Sequence, residues 1–184
     1  MRQPIYGFIL FIFLILPPVV TLAESIMAIH MHTQMPLFFI SGFLMAPFFQ
    51  KKFPGFFDKW NGDGIPGILL FMIIVIYWMI PRTMDEALTI PAVEIFKFIS
   101  LPFFAGLPLR DSWPKITERV KHAVYISLSI IFAFMAVLYI AAPTQLCNNY
   151  LLFEQKTVGW GFVFFAGAIF FYFIQTLFHK ETEE

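Results

Sequence analysis

The sequence predicts an all-α polytopic membrane protein: one helical bundle over residues 1–184, with about six transmembrane helices and both termini cytoplasmic. Three observations carry this expectation. Hydrophobic residues make up 59% of the chain and charged residues 13%, about half the charged share of an ordinary soluble domain, so the polar coat of a water-soluble globule is missing. Six stretches approach the ~20 apolar residues that a membrane helix needs. The basic residues, finally, divide unevenly between the two sets of loops.

The first stretch, residues 5–23, follows Arg2 and ends in Thr21-Leu22-Ala23. That pattern mimics a secretory signal peptide, but the chain is expected to keep it as an uncleaved first helix, kinked at Pro17-Pro18. Residues 26–49 form the second stretch and contain Pro36 and Pro47. Membrane helices accept such prolines where neighbouring groups satisfy the freed carbonyls. The loop 50–64 (QKKFPGFFDKWNGDG) mixes Lys with Phe and Trp, the composition of a segment lying on the inner interface. Residues 65–80 make a short third stretch that starts from that segment. The fourth, residues 88–109, is the least apolar, since it holds Glu94 and Lys97 and is punctuated by Pro91, Pro102 and Pro108. Residues 120–142 and 158–178 complete the set and leave only short loops.

With the termini inside, the inner segments hold Arg2, Lys51, Lys52, Lys59, Arg110, Lys115, Arg119, Lys121 and Lys180, whereas the outer loops hold only Arg82 and Lys156. This positive-inside bias sets the orientation and implies a bacterial or archaeal plasma membrane. Net charge is zero, from 12 basic and 12 acidic residues, which disfavours a nucleic-acid partner. The single cysteine, Cys147, excludes an internal disulfide and any cysteine-clustered metal site. Nucleophile elbow, Walker loop, HExxH zinc motif and nucleotide fingerprint are all missing, so no enzymatic activity is expected.

Polar residues within apolar stretches are costly in a bilayer and are the candidates for function. At the outer end of the second stretch, Met27, His30, Met31 and Gln34 fall at i, i+3, i+4 and i+7 and share one helix stripe. Met35 extends the stripe by a turn, while His32 points elsewhere. Thioether and imidazole donors together suit cuprous copper, and His30 lies only ~8 Å from the outer entry of the helix at 1.5 Å per residue. The plainer alternative is packing, because methionine fills gaps in any apolar helix. Glu94 and Lys97, spaced i, i+3, are within bonding reach of each other. They are expected to form a structural ion pair, or else Glu94 serves as a ligand or proton acceptor. Asp85, Glu86 and Glu154 could gather cations loosely but are expected to be solvated loop charges, and Cys147 could serve as a soft ligand but is expected to be an ordinary thiol. A haem needs axial donors at matching depth. His122 and His179 sit at the inner ends and His30 and His32 near the outer face, which leaves only a His–Met combination such as His32 with Met84.

Three segments resemble the CtaG family of membrane proteins. The first is His30-Met31-His32-Thr33-Gln34-Met35 running into LFFISGFLMAP (37–47), and the second is Met84-Asp85-Glu86-Ala87-Leu88-Thr89-Ile90-Pro91 leading to Phe96-Lys97-Phe98 and Gly106. The third is Glu154-Gln155-Lys156-Thr157-Val158-Gly159. The resemblance implies a role in copper delivery to cytochrome c oxidase, and by position it carries over His30, His32, Gln34, Met35, Asp85 and Gln155. Family members usually have about seven spans, and they show histidine in the second segment where this chain has Glu94 and Lys97. The resulting expectation is a copper-handling protein that assists maturation of a haem-copper oxidase. His30 and Met31 would be ligands, Met27 and Met35 would guide exchange, and Gln34 or Asp85 would support them. The alternatives are an accessory subunit of a larger membrane complex and, less favoured, a b-type cytochrome or quinone-site anchor.

Overall fold

A computed structural model describes residues 2–181, which are helical throughout apart from short connections, with no strand among the described residues. Helix α1 (Gln3–Leu14) and helix α2 (Pro17–Glu24) meet at 72°, so the first apolar stretch is bent sharply rather than kinked. The cause is local. Leu16 precedes Pro17 and takes an extended conformation, φ −63° and ψ 130°, because the proline ring disfavours the helical region for the residue before it.

The second stretch is one continuous helical run made of α3 (Met27–Ile29), a π-helical segment (His30–Gln34) and α4 (Met35–Lys52). The wide turn sits just before Pro36, where the Met35 N–H reaches back five residues to the His30 carbonyl. Proline lacks an N–H and its ring collides with the carbonyl four residues back, so an expanded turn relieves the clash. The fourth stretch repeats the device. Helix α7 (Pro81–Thr89) precedes α8 (Pro91–Ile99), a π-helical segment (Ser100–Gly106) that contains Pro102, and α9 (Leu107–Ser112) with Pro108.

Helix α5 (Pro54–Trp60) stands at 85° to α6 (Ile65–Met79), with Gly64 at φ +79° between them. A left-handed residue at the corner favours glycine. The corner is tied down by a network with no signature in the sequence. Asn61 Nδ2 donates to Asp111 Oδ2 at 2.7 Å and Ser112 Oγ at 2.9 Å, while Asn61 Oδ1 accepts from the Gly67 N–H at 2.9 Å. Lys115 and Gln50 complete the shell around Asp111, each at 2.8 Å. Helix α10 (Glu118–Ala141) and helix α11 (Leu152–Glu181) form a hairpin at the C-terminal end of the fold. The side chains of His179 and Lys180, both assigned above to the inner end, lie outside the described ones.

The core forms where α4 crosses the Ser100–Gly106 segment. Phe38, Met45, Ala46 and Ala105 are fully enclosed, and the crossing is close because Gly42 and Gly106 present no side chain. Among the described residues three helices are long and apolar enough to cross a membrane: Pro91–Ser112, Glu118–Ala141 and Leu152–Phe178. The bent pairs α1–α2 and α5–α6 raise that to up to five. The run over residues 27–52 is not among them, since His30, His32 and Gln34 occupy its first turns and Lys51 and Lys52 its last. The fourth span starts at Pro91 rather than at residue 88, because Pro91 opens a new helix. The last helix starts at Leu152, a turn and a half earlier than expected.

Candidate functional site

The Met/His stripe folds inward as its spacing predicts. Met27 and His30 are fully enclosed, and Met31, Gln34 and Met35 are buried beside them. What surrounds His30 differs from the sequence expectation. Lys97, from α8, does not pair with Glu94; among the described residues no ion pair joins these two. Lys97 reaches instead to the Glu24 carboxylate at the end of α2, and its Nζ also lies 3.3 Å from His30 Nε2. Spacing along one helix shows which groups can meet, but a four-carbon stem is free to choose a carboxylate on another element.

The cluster closes through Tyr150, in the connection between α10 and α11. Its hydroxyl donates to the Glu24 backbone carbonyl at 2.8 Å and lies 3.0 Å from His30 Nδ1. These contacts assign the imidazole tautomer. The hydroxyl's one proton is spent on the Glu24 carbonyl, so it accepts from a protonated Nδ1. Nε2 is then the acceptor of a Lys97 N–H bond, and its lone pair, the one a metal would need, is already engaged. Glu154, expected to be solvated, binds the start of the stripe: its carboxylate accepts from the Met27 N–H at 3.4 Å and the Leu151 N–H at 3.0 Å. Glu24, Tyr150 and Glu154 complete this site; Glu154 opens the third of the segments quoted above, whereas Glu24 and Tyr150 carry no motif. An acidic residue closing an apolar run was the only available signal for Glu24.

The remaining candidates lie apart from His30. His32 Nε2 is 3.0 Å from the Val158 carbonyl, and its ring packs between Phe162 and Phe165 with centroids at 4.9 and 5.2 Å. It nestles against α11 at Gly161, where an added Cβ would fall 2.3 Å from Nε2. Gln155 bridges the Leu146 N–H at 2.7 Å and the Tyr139 carbonyl at 3.2 Å. Asp85 is likewise more than a solvated charge: it clamps the opposite loop, accepting from Asn148 Nδ2 at 2.9 Å, the Asn149 N–H at 3.1 Å and Asn149 Nδ2 at 2.8 Å. Glu86 pairs with Arg82 on the surface. Among the described residues no three His, Cys, Asp or Glu side chains converge as a metal-holding group. The soft donors Met27, Met31 and Met35 remain, beside the Gln34 carboxamide, whose Oε1 and Nε2 both lack a hydrogen-bond partner although the residue is 1% exposed.

Cys147, in the same loop as Tyr150, is buried, with its thiol 3.5 Å from the Pro81 carbonyl. Burial, aided by the negative charge of Asp85 and partly offset by the nearby Tyr139 hydroxyl, pushes the thiol up from 9.0 to about 12. Burial also raises the Tyr150 phenol, so both stay protonated at neutral pH. Only thiolate reacts with maleimides, so labelling of the folded protein at pH 7 is expected to be at least about tenfold slower than that of the unfolded chain. Because the folded thiol ionises later than the unfolded one, its stabilising share is complete below pH 9.0 and is lost as pH rises towards about 12. Equal labelling rates in the two states would show that the loop does not enclose Cys147.

Fold and site together define a class: an all-helical protein whose apolar helices can cross a membrane, closed at one end by a buried charged cluster. No family model, curated protein or solved structure matches this chain.

Proposed function

We propose that the chain crosses a bacterial or archaeal plasma membrane six times, with cytoplasmic termini, and acts as a non-catalytic accessory subunit of a larger membrane-protein complex. Residues 27–52 supply the sixth crossing. The observation that carries the accessory role is the C-terminal hairpin. Only 6% of the most apolar stretch of α11 and 22% of that of α10 is buried within the chain. A groove of about 380 Å³ on the hairpin is lined by Ala133, Val137, Ile140, Ala141 and Val163 with Ala166. The alanines among them let helix backbones approach closely, which is how membrane helices associate. The cluster at His30 suits the same role, since Glu24, Lys97, His30 and Tyr150 are bonded to one another. Native electrophoresis of gently solubilised membranes is expected to show the chain in a large assembly with background metal content. Ala133→Leu with Ala166→Leu should shift it to its own mass. A wild-type chain that migrates alone would overturn the proposal.

A second reading is copper handling, favoured by the three buried thioethers beside the unpartnered Gln34 amide. The resemblance to the CtaG family points the same way. Cuprous ion would be held by Met27, Met31 and Met35, and His30 would join only after Lys97 left its Nε2. About one copper per chain under reducing conditions, lost in Met31→Leu with Met35→Leu, supports this reading. A metal-free, colourless preparation sinks both it and a haem-bearing cytochrome.

A further inference from the structure

A second apolar furrow, of about 260 Å³, runs along the Lys51–Lys52 end of the fold, between α5 and the bundle. Phe53, Phe56, Phe57 and Trp60 form one wall, and Phe49, Phe103 and Phe104 with Leu107 face them. Phe56 and Trp60 stack with centroids 6.0 Å apart, and Phe56 is 60% exposed. Such a wall open to water would be an aggregation hazard. It lies, however, on a helix set at 85° to α6, so where α6 crosses the bilayer α5 runs along its surface, at the depth where headgroups give way to chains.

Lys52 stands at one edge of the furrow, and further basic residues neighbour its lining residues in the chain. Lys52 Nζ sits 5.6 Å from the Phe48 ring and 5.7 Å from that of Phe53. Lys51 precedes it, Lys59 adjoins Trp60, and Arg110 follows Pro108 by two residues, its guanidinium 4.8 Å from the Phe43 ring. Opposing charge is smaller: Asp111 is paired with Lys115 and bonded by Asn61 and Gln50, which leaves Asp58 and Asp63 against Lys51, Lys52 and Lys59 in the α5 loop. An apolar trough with a cationic edge at interfacial depth matches one ligand chemistry, an anionic headgroup on an acyl chain.

We propose that this furrow is a binding site for one anionic glycerophospholipid, with an acyl chain along Phe53, Phe56, Trp60 and Phe104 and the phosphate at Lys52 and Lys59. The site rests on the membrane-spanning reading but not on the accessory role. The full chain, reconstituted in vesicles of equal parts phosphatidylcholine and phosphatidylglycerol, tests it, with bromine on the acyl chains of one lipid or the other. The quenching that disappears in Trp60→Phe is the Trp60 signal. Brominated phosphatidylglycerol is expected to quench that signal more than brominated phosphatidylcholine. Removing the rim charge with Lys52→Gln and Lys59→Gln should weaken the preference about fivefold or more, and high salt should weaken it in the unaltered protein. Equal quenching by the two lipids, or a preference that survives both the charge removal and salt, overturns the site. Native electrophoresis of the Lys52→Gln, Lys59→Gln protein separates the two proposals, because the assembly should persist when lipid preference is lost.

Discussion

Lys97→Met is expected to destabilise the folded protein by about 3 kcal/mol, the cost of leaving one member of a buried ion pair without its partner. The Lys97 side chain is 0% exposed and that of Glu24 14%, so the two deletions are not equivalent. Removing the lysine leaves a carboxylate that still touches solvent, and deprives His30 Nε2 of its donor. Removing the carboxylate by Glu24→Leu leaves a fully enclosed ammonium, and should cost more. Together the two changes should cost less than their sum, because the double variant buries no unpaired charge. Denaturant unfolding of the detergent-solubilised protein, followed by circular dichroism, measures all three. If Lys97→Met falls within about 0.5 kcal/mol of the unaltered protein, as an ordinary surface change would, the cluster does not hold the α2 end, α8 and the Tyr150 loop together.

The second large effect is expected at the crossing of α4 with the Ser100–Gly106 segment. A Cβ at Gly42 would lie 1.9 Å from the Pro102 carbonyl oxygen, and one at Gly106 2.1 Å from that of Phe39. Both obstacles are backbone, so no side-chain rotation relieves the clash and the helices must separate. Gly42→Ala should therefore cost about 3 kcal/mol, the upper end of ordinary overpacking, and Gly42→Val still more. Gly167→Ala is the control. Nothing lies within 4 Å of a Cβ there, and the change should be neutral or stabilise by up to about 1 kcal/mol through helix propensity. Thermal melts of the four proteins in one detergent suffice. A Gly42→Ala protein as stable as Gly167→Ala would mean that the crossing is looser than the packing of Gly42 and Gly106 requires.

The coarse architecture was legible because composition and period act locally. Apolar runs specified helices long enough for a membrane, Pro17-Pro18 and Pro36 marked places where the helices depart from regularity, and the Lys-Phe-Trp mixture set residues 50–64 apart from the apolar stretches on either side, although the 72° break, the wide turn and the helix at 85° to α6 were not foreseen. The Met27–Gln34 stripe was legible too, since residues at i, i+3, i+4 and i+7 share a face whatever that face meets, and all four are buried. The partners of that face were not. Glu94 matched the spacing for a bond to Lys97, yet the carboxylate that takes the lysine is 73 residues away in sequence, and the hydroxyl facing His30 is 120 residues away.

The Asn61–Asp111–Ser112 network and the Gly42–Gly106 approach were hidden for the same reason. A hydrogen bond or a backbone contact between distant segments leaves no periodic trace in either one. By itself, then, the sequence determined that this is an all-helical protein with apolar helices able to cross a membrane, and that Met27, His30, Met31 and Gln34 share one face. Only the tertiary structure decided that His30 is bonded through both nitrogens and that Lys97 belongs to Glu24. Helix period depends on neighbours three and four positions apart, whereas a buried charge takes whichever partner the packing of whole helices brings within reach.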